Sequence, residues 1–223
     1  MAELESISVG NQDSPTQIIM CHGFGANMHD LVDIWTVLDP NQNFGWHFLQ
    51  APVAMPNYNG FAWFPRNDQA LYQVMMGNYF NALADLNEPS LAQAAREIAN
   101  WIQTHFSPSK RWVLGGFSQG SMVALRAAIQ ESIQLSGVLI LSGSLIDKVG
   151  TQQLLDTATK VPCFQSHGTA DQVLGIENAK ALNQLLLENN WPVEWHSFPG
   201  GHEIPPVIML KLRDFLKQFN VSR

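Results

Sequence analysis

Cysteine, charge and long apolar runs are all scarce in this 223-residue chain. Only Cys21 and Cys163 are present, each inside an apolar, strand-like run, which argues against a disulfide framework and for two free, buried thiols. Charged residues are 14% of the chain and its formal net charge is −7. Basic residues nowhere cluster beyond Lys110-Arg111, which excludes the phosphate-tracking surface of a nucleic-acid binder and electrostatic docking on an anionic membrane. The longest apolar stretches, such as "GVLILSG" and "PPVIML", fall far short of the roughly 20 residues that a membrane span needs. "MAELESISVG" at the start has no basic n-region, no apolar h-region and no Gly at position 2 for myristoylation, so the expected location is the cytoplasm. Internal repeats, low-complexity tracts and linkers are absent. So are H-E-x-x-H, C-x-x-C, a P-loop and a G-x-G-x-x-G after a strand, so neither a metal nor a cofactor is expected.

What is present suits one large core. Hydrophobic residues are 46% of the chain, and its length fits a single domain spanning residues 1–223. Short β-rich runs occur at 4–9, 16–22, 46–52, 111–117, 136–143, 161–168 and 193–198. The later ones are nearly continuous apolar runs, as in parallel strands covered on both faces. Helical periods lie between them. Leu91, Ala94, Ala95, Ile98 and Ile102 recur at helical spacing behind Ser90 as N-cap. Ile176, Ala179, Leu182, Leu185 and Leu186 form a second stripe, and Val207, Leu210, Leu212 and Phe215 a third. Strands alternating with helices imply right-handed βαβ units and a mostly parallel central sheet with helices on both faces. Residues 53–89 break the rhythm with Pro, Gly, Asn and many aromatics, and connections that long usually carry function.

In an open parallel sheet, sites gather at the carboxyl ends of strands. There the chain places His22-Gly23-Phe24-Gly25, then Ser118, then His167-Gly168-Thr169-Ala170-Asp171, then Pro199-Gly200-Gly201-His202-Glu203. Gly116-Phe117-Ser118-Gln119-Gly120 fits G-x-S-x-G, the nucleophile elbow, a sharp strand-to-helix turn that exposes a serine hydroxyl. A serine hydroxyl becomes a nucleophile when a histidine accepts its proton, and that histidine needs an acid to orient it. Ser118, Asp171 and His202 follow one another in the Ser…Asp…His order that this chemistry takes in α/β-hydrolases. Asp171 is also placed to cap a helix starting near Gly175, and Asp147, after the preceding strand, is the rival acid. Among the other histidines, His47 and His196 fall inside strands and His29 and His105 on helices, while His22 and His167, each before a Gly, read as loop-shaping. Backbone N–H groups would stabilise the oxyanion: that of Gln119, at the positive end of the following helix, and that of Phe24 in the first glycine loop.

The segments "HGFGAN", "LQAPVAMP", "AWF", "EPSLAQAAREI", "GGFSQGSMVAL", "LSG", "HGTADQVL" and "GGHEI" run in order across nearly the whole chain. With them the chain resembles the phospholipase/carboxylesterase family of small α/β-hydrolases, which includes acyl-protein thioesterases. The resemblance implies an α/β-hydrolase fold, Ser118, Asp171 and His202 as catalytic triad, and the Phe24 and Gln119 amides as oxyanion hole. It also implies cofactor-free hydrolysis of carboxylic esters or acyl thioesters. The chain departs from the family pattern at Ala26, where an acidic residue is frequent, and at Pro65, where Asp commonly follows Trp-Phe. The expected activity is a serine esterase or thioesterase acting on short-to-medium acyl chains, small-molecule or lipid-like or carried on a protein. Lysophospholipase or peptidase action on the same fold, and a non-catalytic ligand-binding homologue, are the alternatives. The acyl chain is expected to lie against Phe61, Trp63, Phe64, Met75, Met76, Leu145 and Ile146, with the aromatic and Met residues of 53–89 either closing over it as a flap or packing as ordinary core.

Overall fold

The computed structural model describes residues 3–55, 59–65, 83–86, 88–105, 107 and 109–220. Its centre is a seven-stranded sheet. The strands are β1 (Ser6–Gly10), β2 (Thr16–Cys21), β3 (Gly45–Leu49), β6 (Arg111–Phe117), β7 (Gly137–Leu141), β8 (Cys163–Gly168) and β9 (Val193–Phe198). They lie in the order β1-β3-β2-β6-β7-β8-β9. Only β1 runs against its neighbour, pairing antiparallel with β3 from Ser6↔Leu49 to Gly10↔Gly45; the remaining pairs are parallel. A separate hairpin joins β4 (Val53–Ala54) to β5 (Phe61–Ala62).

Both faces of the sheet are covered, which is why the inner strands read as unbroken apolar runs rather than alternating ones. Successive side chains of a strand point to opposite faces, and β2 shows the division. Ile18 and Met20 join Leu38 of α1 (Ile34–Leu38) and Ile208, Leu212 and Phe215 of the last helix, α6 (Pro206–Leu216). Ile19 and Cys21 join Leu91, Ala95 and Ile98 of α2 (Pro89–Thr104) and Val123 and Ala127 of α3 (Gln119–Gln130). Farther along, Val138, Ile140 and Cys163 pack with Leu182, Leu185 and Leu186 of α5 (Ile176–Glu188), while α4 (Lys148–Leu155) contributes Leu155. Cys21 and Cys163 are buried free thiols, and burial pushes both well above the ordinary thiol range.

Several local expectations are corrected. The cap of α2 is Glu88 rather than Ser90: the Glu88 carboxylate accepts the Ser90 N–H, and Pro89 opens the helix, where its missing N–H costs nothing. Val207 and Leu210 are exposed, and Ile208 and Leu216 take the inward positions of α6 beside Leu212 and Phe215. His29 stands in the turns before α1, and His105 is the C-cap residue of α2 rather than a helical one. Within the proposed flap, residues 53–55 and 59–65 form the β4–β5 hairpin and its approach, whereas Met75 and Met76 lie outside the described residues.

Candidate active site

The site begins with the turn from β6 into α3. Ser118 takes φ 56°, ψ −122°, in a region that L-residues enter at a cost of about 1–3 kcal/mol. The surroundings hold it there: its N–H donates to Leu141 O at 2.9 Å, and its carbonyl accepts from Ser121 N and Met122 N, the start of α3. Both glycines of the motif are required by close approach. A Cβ on Gly116 would sit 2.4 Å from the Gly120 carbonyl carbon, and one on Gly120 would sit 2.1 Å from Cys21 O.

The Ser118 hydroxyl is 2.8 Å from His202 Nε2, and His202 Nδ1 is 2.7 Å from Asp171 Oδ2. An ionised carboxylate only accepts, so Nδ1 carries the ring proton and Nε2 offers its lone pair to the Ser118 hydroxyl. Asp171 Oδ1 accepts the N–H groups of Val173 (2.8 Å) and Leu174 (3.0 Å), so this residue organises the turn before α5 while orienting His202. Burial pushes the Asp171 carboxyl up. The His167 and His202 rings beside it and the Leu174 N–H outweigh that, and hold it well below the usual carboxylate range. The ring of His167, fully buried, brings Nε2 to 3.2 Å from the same Oδ2, though no hydrogen bond closes at either of its nitrogens. Phe117 packs tilted against the His202 ring, with centroids 4.8 Å apart.

The loops after β8 and β9 bring Asp171 and His202 together. Thr169 N donates to Phe198 O and Ala170 N to Gly200 O. Gly168 allows this approach, since a Cβ there would lie 2.2 Å from Gly201 O. Asp147, the rival acid, is engaged elsewhere: Arg126 Nη1 lies 2.9 Å from its Oδ2, and its Oδ1 accepts the Gly150 N–H as N-cap of α4.

The loop after β2 borders Ser118. A Cβ on Gly23 would lie 3.5 Å from Ser118 Cβ. His22 shapes this loop: its Nδ1–H donates to Gly23 O at 2.7 Å, and its Nε2 accepts from Ala51 N at 3.1 Å. Burial lowers its pKa, consistent with a neutral ring accepting at Nε2. Gly25, at φ +79°, donates to Phe61 O, and Phe61 N donates to Ala26 O. At the start of α3 the first N–H groups have no intrahelical partner, and the Gln119 amide is among them.

The expected acyl contacts are only partly available. Phe61 is half-buried, but Trp63 and Phe64 are 1% and 5% exposed and belong to the core around α2 and α3. Leu145 and Ile146 are likewise buried, around a void of about 10 Å³. These four side chains therefore pack as interior rather than as an open acyl-binding wall. Sequence reasoning missed the Gln119 side chain, whose Oε1 accepts Trp63 N–H (2.9 Å) and whose Nε2 donates to Phe64 O (2.8 Å). It also missed Gln50, whose Oε1 accepts Met28 N–H. No pattern signals such bonds, since their partners are backbone groups that every residue carries. Among the described residues, no group of three or more His, Cys, Asp or Glu is placed to hold a metal ion, and no helix is long and apolar enough to cross a membrane.

This architecture, a mostly parallel sheet with a serine elbow after a central strand, is the α/β-hydrolase fold. Esterase PE8 superposes with a TM-score of 0.76 at 22% identity, covering 97% of this chain and 99% of that one. Acyl-protein thioesterase 2 of Zea mays gives 0.72 at 22% identity, covering 96% and 98%. The chain belongs to the phospholipase/carboxylesterase family, whose model matches residues 2–220. An acyl-protein thioesterase 1 of Aspergillus fumigatus is 28% identical over 213 residues, 90% of this chain and 86% of that protein. The namesake of Debaryomyces hansenii is 32% identical over 105 residues, 46% of this chain and 45% of that protein. Against several such fungal relatives, the chain spans about half their length.

Proposed function

We propose that this chain is a serine hydrolase that cleaves carboxylic esters or acyl thioesters of short-to-medium acyl chains. The observation that carries the reading is the unbroken line Ser118 Oγ–His202–Asp171, with hydrogen bonds of 2.8 and 2.7 Å, behind a serine held at positive φ. Ser118 Oγ attacks the acyl carbonyl carbon while its proton passes to His202 Nε2. The carbon–oxygen or carbon–sulfur bond to the leaving group then breaks, and Nε2 returns the proton to the departing oxygen or sulfur. Water attacks the acyl-serine next, giving one proton to Nε2. The carboxylic acid departs as Ser118 recovers that proton. Asp171 stays ionised throughout and stabilises the charged imidazole, and the Phe24 and Gln119 amides face the oxygen that gains negative charge.

The names of the fungal and maize relatives bring acylated proteins within the proposed substrate class. The same proposal puts the chain in the cytoplasm, where Cys21 and Cys163 persist as thiols. A panel of p-nitrophenyl esters of increasing chain length, beside an S-acyl peptide, acyl-CoA, a lysophospholipid and a peptide amide, tests the reading. Turnover of ester or thioester with a fluorophosphonate adduct on Ser118 is expected. Hydrolysis of the amide alone, or an adduct on another residue, would overturn it.

A further inference from the structure

The residue after the nucleophile has two parts that do different things. Its amide is assigned above to the oxyanion, but its side chain turns inward, with Gln119 only 6% exposed. There the carboxamide grips the backbone of two successive residues, accepting from Trp63 N–H at 2.9 Å and donating to Phe64 O at 2.8 Å. Trp63 is in turn bound to the loop after β2, its indole Nε1–H donating to His22 O at 2.9 Å. Two residues earlier, Phe61 exchanges backbone hydrogen bonds with Gly25 and Ala26, at 2.9 and 2.8 Å. Gly60 lies so close that a Cβ on it would stand 1.9 Å from Gly25 O. Residues 60–64 thus form a strap, bonded to the glycine loop through Phe61 and Trp63 and to the elbow through Gln119.

An oxyanion hole works by preorganisation, with donors held about 2.7–3.1 Å from where the oxygen will be when charged. Here the two amides sit on separately attached pieces of chain, one on a loop with glycines at 23 and 25 and one on a helix start. Close backbone contact at Gly116 and Gly120 fixes the end of β2 against the elbow, where β6 passes into α3. It does not reach the loop beyond Gly23, whereas the strap does. We propose that Gln119 is a positioning residue: its side chain anchors the 60–64 strap to the elbow, and the strap holds the Phe24 amide in register with the Gln119 amide. The proposal rests on the hydrolase reading above and deepens it. Glutamine suits the position because one uncharged group supplies a donor and an acceptor at this reach.

The test uses Gln119→Met, which keeps length and volume but removes both hydrogen bonds, and Trp63→Phe, which removes the indole bond to His22 O together with part of the ring's packing in the core. Each is assayed for kcat, KM and the affinity of an alkylboronic acid that mimics the tetrahedral intermediate. Stoichiometric fluorophosphonate labelling counts folded sites. Gln119→Met is expected to lower kcat about 10- to 100-fold, with KM within about threefold. Boronate affinity should fall by the same factor as kcat/KM, while the acidic limb of the pH profile stays in place, because none of the strap's hydrogen bonds ends on His202 or Asp171. Trp63→Phe should act in the same direction but less, and the double variant should lose less than the product of the two. A merely structural glutamine would lower the melting temperature and the count of active sites, without changing kcat per labelled site. That result, an effect on KM alone, or a kcat loss with unchanged boronate affinity would overturn the proposal. If Gln119→Met does not fold, Trp63→Phe decides: boronate affinity and kcat/KM falling together support the strap, and wild-type values overturn it. A wild-type protein that neither turns over esters nor takes the label would instead refute the hydrolase reading itself.

Discussion

Replacing Asp171 and Asp147 with asparagine, one at a time, separates the acid that orients His202 from one that serves the scaffold. Asparagine at 171 can still turn its oxygen toward the Val173 and Leu174 N–H groups, which leaves its NH₂ facing His202 Nδ1. Two donors cannot face each other, so the ring adopts the tautomer protonated at Nε2 and presents a hydrogen to Ser118 instead of a lone pair. That loss is expected to cost about 10⁴ in kcat, or about 5–6 kcal/mol of transition-state stabilisation. At 147, asparagine keeps an oxygen for the Gly150 N–H and tolerates the left-handed backbone, φ 48°. What it loses is the charge opposite Arg126, in a pair whose side chains are only 12% and 15% exposed. Arg126 keeps its bond to Gln130, so the cost should fall below that of a fully buried pair, at about 1–3 kcal/mol. For a chain of this length that is about 2–12 °C of melting temperature. Steady-state hydrolysis of p-nitrophenyl octanoate and thermal melts of both variants read the two effects. Asp147→Asn should stay within about twofold of wild-type kcat/KM. The assignment would be sunk if Asp147→Asn lost activity by orders of magnitude, or if Asp171→Asn kept more than about a tenth of it.

Ser118→Ala should lower kcat by about 10⁶ without lowering the melting temperature, because among the described residues the Ser118 hydroxyl is hydrogen-bonded to His202 alone; appreciable turnover or persistent fluorophosphonate labelling would contradict the mechanism. His47 offers a pH test away from the site: burial, reinforced by His105 and Lys110, lowers it from 6.5 to about 4. Below about pH 6.5 the unfolded chain therefore takes up a proton that the native state refuses, so stability is lost as pH falls toward 4, by about 3 kcal/mol in all. Melting temperature followed from pH 7.5 to 4 should fall less steeply in His47→Gln than in wild type, and equal slopes would contradict the assignment.

The strands were legible because parallel strands buried on both faces leave continuous apolar runs, and β6 and β9 coincide with the runs at 111–117 and 193–198. Ser118, Asp171 and His202 were legible for a related reason: glycine-rich turns flank each of them at a strand end. The phase of α6 was not. "PPVIMLKL" is apolar nearly throughout, so spacing alone could not show that Val207 and Leu210 face outward while Ile208 faces the sheet. Five residues make α1 too short for any periodicity to register. Glu88 is hidden as a cap because Ser90, two residues on, is the residue type that usually takes that place. The hydrogen bonds of Gln119 and His22 were invisible because they end on backbone atoms.

Strand order, which no local pattern encodes, explains why these particular tips meet. The chain leaves β2 through α1 and enters β3 on one side, and later returns with β6 on the other side of β2. Strand order therefore reverses between β2 and β6, which opens a crevice at their carboxyl ends. The tips of those two strands carry His22-Gly23-Phe24 and Ser118, so hydroxyl and glycine loop are neighbours by topology. His202 has farther to come, since β9 stands three strands from β6. The loop after β9 runs back over the tips of β8 and β7. It is tied to the first by Thr169 N→Phe198 O and Ala170 N→Gly200 O, and to the second by the Ser142 hydroxyl, which donates to Glu203 O at 3.2 Å. Ser142, at φ 48°, is another non-glycine residue held in the left-handed region, and it touches the loop within one residue of His202. Strain at 118 and at 142 thus sits at the two ends of one reach, where Ser118 is presented and where His202 is brought to it. The backbone at both positions is thereby fixed where the His202 imidazole comes within 2.8 Å of the Ser118 hydroxyl from a strand three places away.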